Sequence, residues 1–233
     1  MKTKNFHDQR LSIFMQYLTT LPASTPSRIP SLIELSQMLG VSVALLREQM
    51  EVARIMGLIE VRPRTGIQKL PYSFSNTILT SISYSLEDNP DSFDSFSDLR
   101  KHIEASYWKE AVSKLNTDDI EELKGIINVA FLKLRGKPPQ IPHEEHKKLH
   151  TSMFGKVNNP FVLGILEAYW QAYEEVGLDV YTDMQYLEQV WTYHQRTVEA
   201  IASGELDTGY RSFAEHMEMI TKRISKPKTS SFE

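Results

Sequence analysis

Four of the seven histidines in this 233-residue chain stand where their spacing could do chemistry: His146, His150, His194 and His216. Each falls where helical periodicity asks for a large apolar residue on an inner face. His146, Leu149, His150, Met153, Phe154 and Val157 recur at intervals of three and four, which predicts one stripe carrying two imidazoles a turn apart. Lys147, Lys148 and Lys156 fall off that stripe. Leu187, Val190, Trp191, His194, Val198 and Ile201 share a second face, and Leu206, Tyr210, Phe213, His216, Met217 and Ile220 a third. The turn between these last two helices sits near Gly204. His194 precedes it by ten residues and His216 follows it by twelve. At 1.5 Å per residue these are about 15 and 18 Å along the two axes, so an antiparallel pair brings the two rings to nearly the same height.

Buried imidazoles must be satisfied, because each unsatisfied buried polar group costs about 1–3 kcal/mol. Either several hydrogen bonds do this, or one divalent metal ion coordinates the set. The chain has no cysteine, which removes disulfides, thiolate sites and Cys nucleophiles, so a transition metal must be held by His, Asp or Glu. A helical metallohydrolase would also need a general base beside the metal. Glu145 shares a helix with His146 but lies off the histidine face, and nothing else resembles a base, so the reading is not enzymatic. His7, His102 and His143 do not share the pattern, and His143, at the start of its helix, is expected in solvent.

The elements that must position these rings are helical. From residue 75 the periodicity predicts seven helices, at about 75–87, 94–115, 117–134, 141–158, 160–177, 183–203 and 206–224. Asn89-Pro90, the Gly136–Pro142 stretch and Gly204 separate them. Consecutive helices with short connections imply an antiparallel bundle. The tail, 225–233, is polar and expected to be disordered.

The first third reads differently. A helix is expected from Asp8 to Thr20, carrying Leu11, Phe14, Met15 and Leu18, followed by a Pro- and Ser-rich loop from Pro22 to Pro30. Ser31 and Glu34 form a capping box ahead of Leu32, Leu35 and Leu39, and Gly40 suits the helix end. Ser42 caps the next helix, which runs through Leu45, Leu46, Met50 and Ala53 to Gly57. Two short helices around Leu39-Gly40-Val41-Ser42 make a helix-turn-helix. Leu58–Arg62 and Ile67–Leu70, joined by Pro63-Arg64-Thr65-Gly66, predict a β-hairpin wing with Arg62 and Arg64 at its tip. The boundaries are then 1–70 for a winged helix-turn-helix, 71–76 for a linker and 77–224 for the helical domain. The fold class is mainly α.

Charge follows the same division. Residues 1–70 hold nine Lys/Arg against five Asp/Glu, and residues 71–233 hold seventeen against twenty-five. A basic small unit on an acidic larger one fits a nucleic-acid reader joined to a regulatory body. No apolar run approaches the roughly 20 residues of a membrane span, and no signal-peptide core follows Met1, so a cytoplasmic location is expected.

Ile29-Pro30-Ser31, Leu35, Leu39-Gly40-Val41-Ser42, Arg47-Glu48, Gly57-Leu58-Ile59 and Pro63-Arg64-Thr65-Gly66 resemble, in register, the winged-helix signature of GntR-type bacterial transcriptional regulators. The resemblance implies double-stranded DNA as partner, with Val43, Ala44 and Arg47 of the recognition helix and Arg64, Thr65 and Gly66 of the wing approaching it. It also implies a homodimer on a palindromic operator. Two departures stand out: Val43 where the family has Arg, and Gln49 where it has Ala. An Arg paired with guanine supplies about 1–3 kcal/mol of discrimination. Val43 therefore implies either a different operator, for instance one offering a thymine methyl, or weaker DNA binding.

Residues 75–224 are similar to the FCD effector domain of the FadR-type branch of that family. His146-Lys147-Lys148-Leu149-His150, then Asn159-Pro160, then His194 and His216 follow its spacing, with His146 standing where the family has Asp. The resemblance implies a divalent metal held by His146, His150, His194 and His216, with zinc or nickel foremost, and a small carboxylate effector completing its coordination. An all-imidazole set carries one more positive charge than one with aspartate. It favours an anionic ligand and borderline metals over magnesium or calcium, and leaves open whether His146 coordinates. Arg100, four residues before Glu104, resembles the family's first long helix and either meets the effector's carboxylate or makes a surface ion pair with Glu104. A further alternative is that the metal itself is the signal.

Overall fold

A computed structural model describes residues 11–22, 27–63, 66–176 and 183–224. The chain forms two compact units, Met1–Thr80 and Ser81–Glu233, dividing inside one helix.

In the first unit, α1 spans Ile13–Thr20. Residues 8–10 of the helix expected from Asp8 lie outside the described residues; among those described it begins at Ile13, where the Ser12 side chain accepts from the Met15 N–H and caps it. Helix α2 (Leu32–Leu39) opens on the Ser31–Glu34 capping box and closes at Gly40 with φ 68°. Glycine adopts that left-handed conformation without a Cβ penalty, which gives the tight turn into α3 (Val43–Ile55). Strands β2 (Ile59–Arg62) and β3 (Gly66–Lys69) form the hairpin.

One element corrects the sequence expectation. Ser27–Ile29, read as loop, forms strand β1 and pairs antiparallel with β3, with Ile29 opposite Ile67. The sheet order is β1-β3-β2. Three residues are too few for alternation to register, but Ile29 is 3% exposed and joins Phe14, Leu35, Leu46 and Ile59 in this unit's core.

Helix α4 (Ser75–Asp88) crosses the division. The second unit continues with α5 (Ser92–Ser113), α6 (Thr117–Leu134), α7 (His143–Phe154), α8 (Pro160–Glu175), α9 (Met184–Ser203) and α10 (Leu206–Ile224). All seven expected helices are present, with ends displaced by a few residues. Their starts are written locally. Asn116 and Asp119 form a capping box for α6. Asn159 accepts from the N–H groups of Phe161 and Val162 ahead of Pro160 in α8, and Asp183 caps α9. Gly204, φ 79°, ends α9 and turns the chain into α10.

Within the bundle α5, α7 and α8 pack on one another, α10 packs on α5 and α9, and α6 on α7 and α9. Leu149, Met153 and Phe154 of α7 are fully buried. Burying each such side chain contributes about 1.5–3 kcal/mol, which holds α7 with its histidine stripe inward. No helix among the described residues is long and apolar enough to cross a membrane.

Candidate metal centre

The stripe on α7 and the facing stripes of α9 and α10 converge as the helical spacing predicts. His146, His150, His194 and His216 each offer a ring nitrogen within 4.8 Å of the others. The His194 and His216 rings lie 4.0 Å apart between centroids, level across the α9–α10 turn. His146 Nε2 and His216 Nε2 are 3.3 Å apart. His150, His194 and His216 are buried, and His146 is half-buried. His143 is half-buried too, less open than expected from its position, while His102 is exposed and faces Asp98. His7 lies outside the described residues.

Electrostatics keeps the four rings neutral. Burial pushes His146, His194 and His216 well below the usual imidazole pKa, and the neighbouring histidines and Arg100 push the same way. His150 is lowered by burial too, against an opposing pull from Glu104. A neutral ring has a lone pair to offer.

The fit to a divalent ion rests on distance and on unpartnered atoms. Metal–imidazole bonds of about 2.0–2.1 Å put tetrahedral ligand nitrogens roughly 3.3 Å apart, the separation of the His146–His216 pair. His150 Nε2, both ring nitrogens of His194 and His216 Nδ1 are buried without a hydrogen-bond partner. Hydrogen bonding, the alternative way to settle buried imidazoles, therefore does not account for the three buried rings. His150 Nδ1 faces Glu104 Oε1 at 3.0 Å. That contact fixes the ring's tautomer and leaves Nε2 for coordination, as a carboxylate–histidine–metal arrangement requires.

Glu104 in turn sits beside Arg100, with Oε2 3.2 Å from Nη1 and both side chains almost fully buried. The Arg100–Glu104 pair, one of the two alternatives for Arg100, is thus made, but inside the bundle rather than at the surface. Burial opposes the charge on Glu104, yet Arg100, then His150, hold its carboxyl below the usual carboxylate range. Arg100 also lies over Tyr169 at 4.6 Å and Trp170 at 5.7 Å, and its Nε and Nη1 have no hydrogen-bond partner. Glu145, the acid next to His146 in sequence, is tied to Lys133 at 2.7 Å.

In the other unit, Ala44 and Arg47 are exposed on α3, with Val43 half-buried at its first turn. Gly66 is exposed at the start of β3. Arg64 and Thr65 fall outside the described residues.

A model of the FCD domain matches residues 95–219, more than half of the chain. The chain belongs to the FCD family. Among solved structures its fold is similar to that of Streptococcus agalactiae GntR, with TM-score 0.65 and 14% identity over 91% of this chain and 95% of that one. Lower similarities are to E. coli McbR/YncC, with TM-score 0.49 and 15% identity over 92% and 97% of the two chains. A GntR family member from Pseudomonas syringae pv. tomato gives TM-score 0.46 and 13% identity over 86% and 77%. No curated protein matches the chain. A winged helix-turn-helix joined to an FCD domain is the architecture of FadR-type GntR transcriptional regulators, and this protein is of that type.

Several residues of this FCD protein's sites carry roles that spacing alone did not disclose. Glu104 is the partner of His150 as well as of Arg100, and its i,i+4 relation to Arg100 was the only signal. Trp170, whose ring lies 4.7 Å from His146 and 4.8 Å from His150, sits on α8, a helix with no histidine to draw attention to it. Asn159 caps α8 and donates to the Tyr107 hydroxyl at 3.0 Å, a helix-building role. In the winged unit, Gln49 Oε1 accepts from the Phe14 N–H at 3.0 Å. This departure from the family pattern thus supplies a partner to the first turn of α1. Lys69 Nζ donates to the Leu18 and Leu21 carbonyls at the other end of α1.

Proposed function

We propose that this protein binds double-stranded DNA as a homodimer on a palindromic operator, and that a small carboxylate effector at a His-ligated divalent metal controls its operator affinity. Val43, Ala44, Arg47, Arg64, Thr65 and Gly66 approach DNA, and His146, His150, His194 and His216 hold the metal, zinc or nickel. Residues 71–76 link the two domains. The metal supplies a Lewis-acidic centre for an anionic oxygen, and Arg100 orients that ligand through its guanidinium. The ligand acts by preferring one arrangement of the bundle, since equal affinity for both would shift nothing. A changed bundle then changes the spacing of the two recognition helices against half-sites about one DNA turn apart.

The observation that carries this reading is the convergence of four imidazoles, three of them with unpartnered nitrogens, beside a buried Arg100. A second reading also has support: four imidazoles can by themselves fill a tetrahedral shell, which would make the metal the signal. Fluorescence anisotropy with operator DNA separates the two. On the carboxylate reading, metal-loaded protein changes operator affinity only when carboxylate is added. A full change with metal alone would overturn it in favour of metal sensing. Arg47→Ala should weaken operator binding and lower its salt dependence by about one released counterion.

A further inference from the structure

We propose that the effector is a small dianion: one oxyanion group meets the metal, and a second enters a donor pocket made by Ser97, Arg100, Tyr169 and Trp170. The inference rests on the metal–carboxylate reading above and assigns the ligand's second group.

Ten buried side-chain nitrogen and oxygen atoms lack a hydrogen-bond partner among the described residues, and all ten belong to this one region of the bundle. Four are imidazole nitrogens, of which a metal takes His150 Nε2 and one of the two on His194, each ring offering it a single nitrogen. The other six are Ser97 Oγ, Arg100 Nε and Nη1, Glu104 Oε2, Tyr169 Oη and Trp170 Nε1. Glu104 Oε2 already has its counter-charge in Arg100 at 3.2 Å. Arg100 Nη1 is the other half of that contact, which leaves Ser97 Oγ, Arg100 Nε, Tyr169 Oη and Trp170 Nε1, all able to donate. A cluster of stranded donors calls for an acceptor, and one carrying negative charge satisfies it best.

These donors are contiguous with one another and with the imidazoles. Ser97, Arg100 and Glu104 lie three and four apart on one face of α5. Tyr169 and Trp170 follow each other on α8, and both rings face the Arg100 guanidinium. Ser97 and the Tyr169 hydroxyl lie close enough for one to answer the other, so this pair presents one spare proton to a ligand. Trp170 bridges to the metal side through its contacts with His146 and His150.

Charge makes the same demand independently. Four neutral imidazoles, a divalent ion, Arg100 and Glu104 sum to two uncompensated positive charges in a buried site. Uncompensated charge is costly there, and a dianion cancels it. With aspartate at position 146 a monoanion would do so, so the His146 substitution itself points to the doubly charged ligand.

The test is isothermal titration calorimetry on full-length, zinc-loaded protein, using malonate, succinate and glutarate against acetate, propionate and butyrate. At least one dicarboxylate should bind about ten-fold or more tightly than every monocarboxylate. Tyr169→Phe and, separately, Ser97→Ala should lower that affinity several-fold while leaving zinc content and monocarboxylate binding unchanged. Equal affinity for the two series, or unchanged dicarboxylate affinity in both variants, would overturn the dianion inference while the metal–carboxylate reading stands. Failure of any carboxylate to bind the zinc-loaded protein would overturn both.

Discussion

The buried Arg100–Glu104 pair gives the most quantitative test of the site's energetics. Glu104→Leu removes the only carboxylate paired with Arg100 among the described residues and strands a guanidinium that is 1% exposed. Breaking a buried ion pair from one side costs about 3–5 kcal/mol. Glu104→Leu also deprives His150 Nδ1 of its partner at 3.0 Å, adding about 1 kcal/mol or more. The single variant should therefore lose roughly 4–6 kcal/mol, and Arg100→Met alone about 3–5 kcal/mol. The double variant Arg100→Met/Glu104→Leu leaves no buried charge, only the orphaned His150 nitrogen. It should lose about 1–3 kcal/mol, less than either single change. Urea unfolding of chelator-treated protein measures this cleanly, because Trp108, Trp170 and Trp191 all lie in the unit Ser81–Glu233 and their fluorescence follows that unit alone. A double variant no more stable than the singles would refute the assignment of these two residues as a mutually dependent buried pair.

Three further outcomes follow from the same geometry. Gln49→Ala, which removes the acceptor for the Phe14 N–H, should destabilise the winged unit by about 1 kcal/mol, read as an earlier far-ultraviolet circular dichroism transition; an unchanged transition would count against that role. Lys69→Met should cost the winged unit about 1–3 kcal/mol by stranding the Leu21 carbonyl at the end of α1, while the Leu18 carbonyl keeps the Leu21 N–H, visible as faster amide exchange in α1. His146→Asp should retain zinc while weakening dicarboxylate binding, because a ligand carboxylate removes one unit of positive charge from the site; competition with a chromophoric chelator and calorimetry read the two effects separately.

What could be read from the sequence divides along physical lines. The histidine cluster was legible because it depends on two strong periodicities: the i,i+4 spacing of His146 and His150, and the nearly equal distances of His194 and His216 from Gly204. The helix-turn-helix was legible because Ser31, Glu34, Gly40 and Ser42 are local stop and start signals. Strand β1 was not, since three residues show no alternation and its pairing with β3 is set by chain folding. The start of α1 was misplaced because apolar spacing extends to Leu11 while the cap is Ser12. The choice between a surface pair and an inward Arg100 also needed the fold, which makes the pair and buries it. Glu104, Tyr169 and Trp170 come from helices that carry none of the four clustered histidines, and only packing of α5 and α8 against α7 brings them to the site.

The central claim is that the four imidazoles hold one divalent metal. Metal content by elemental mass spectrometry, on protein purified without chelator or affinity metal, tests it most directly. The account predicts about one zinc or nickel per wild-type chain and close to none in a folded His194→Ala/His216→Ala variant. A wild type free of metal that also fails to take up zinc or nickel on dialysis would contradict it, leaving the four rings as a buried apolar-face cluster.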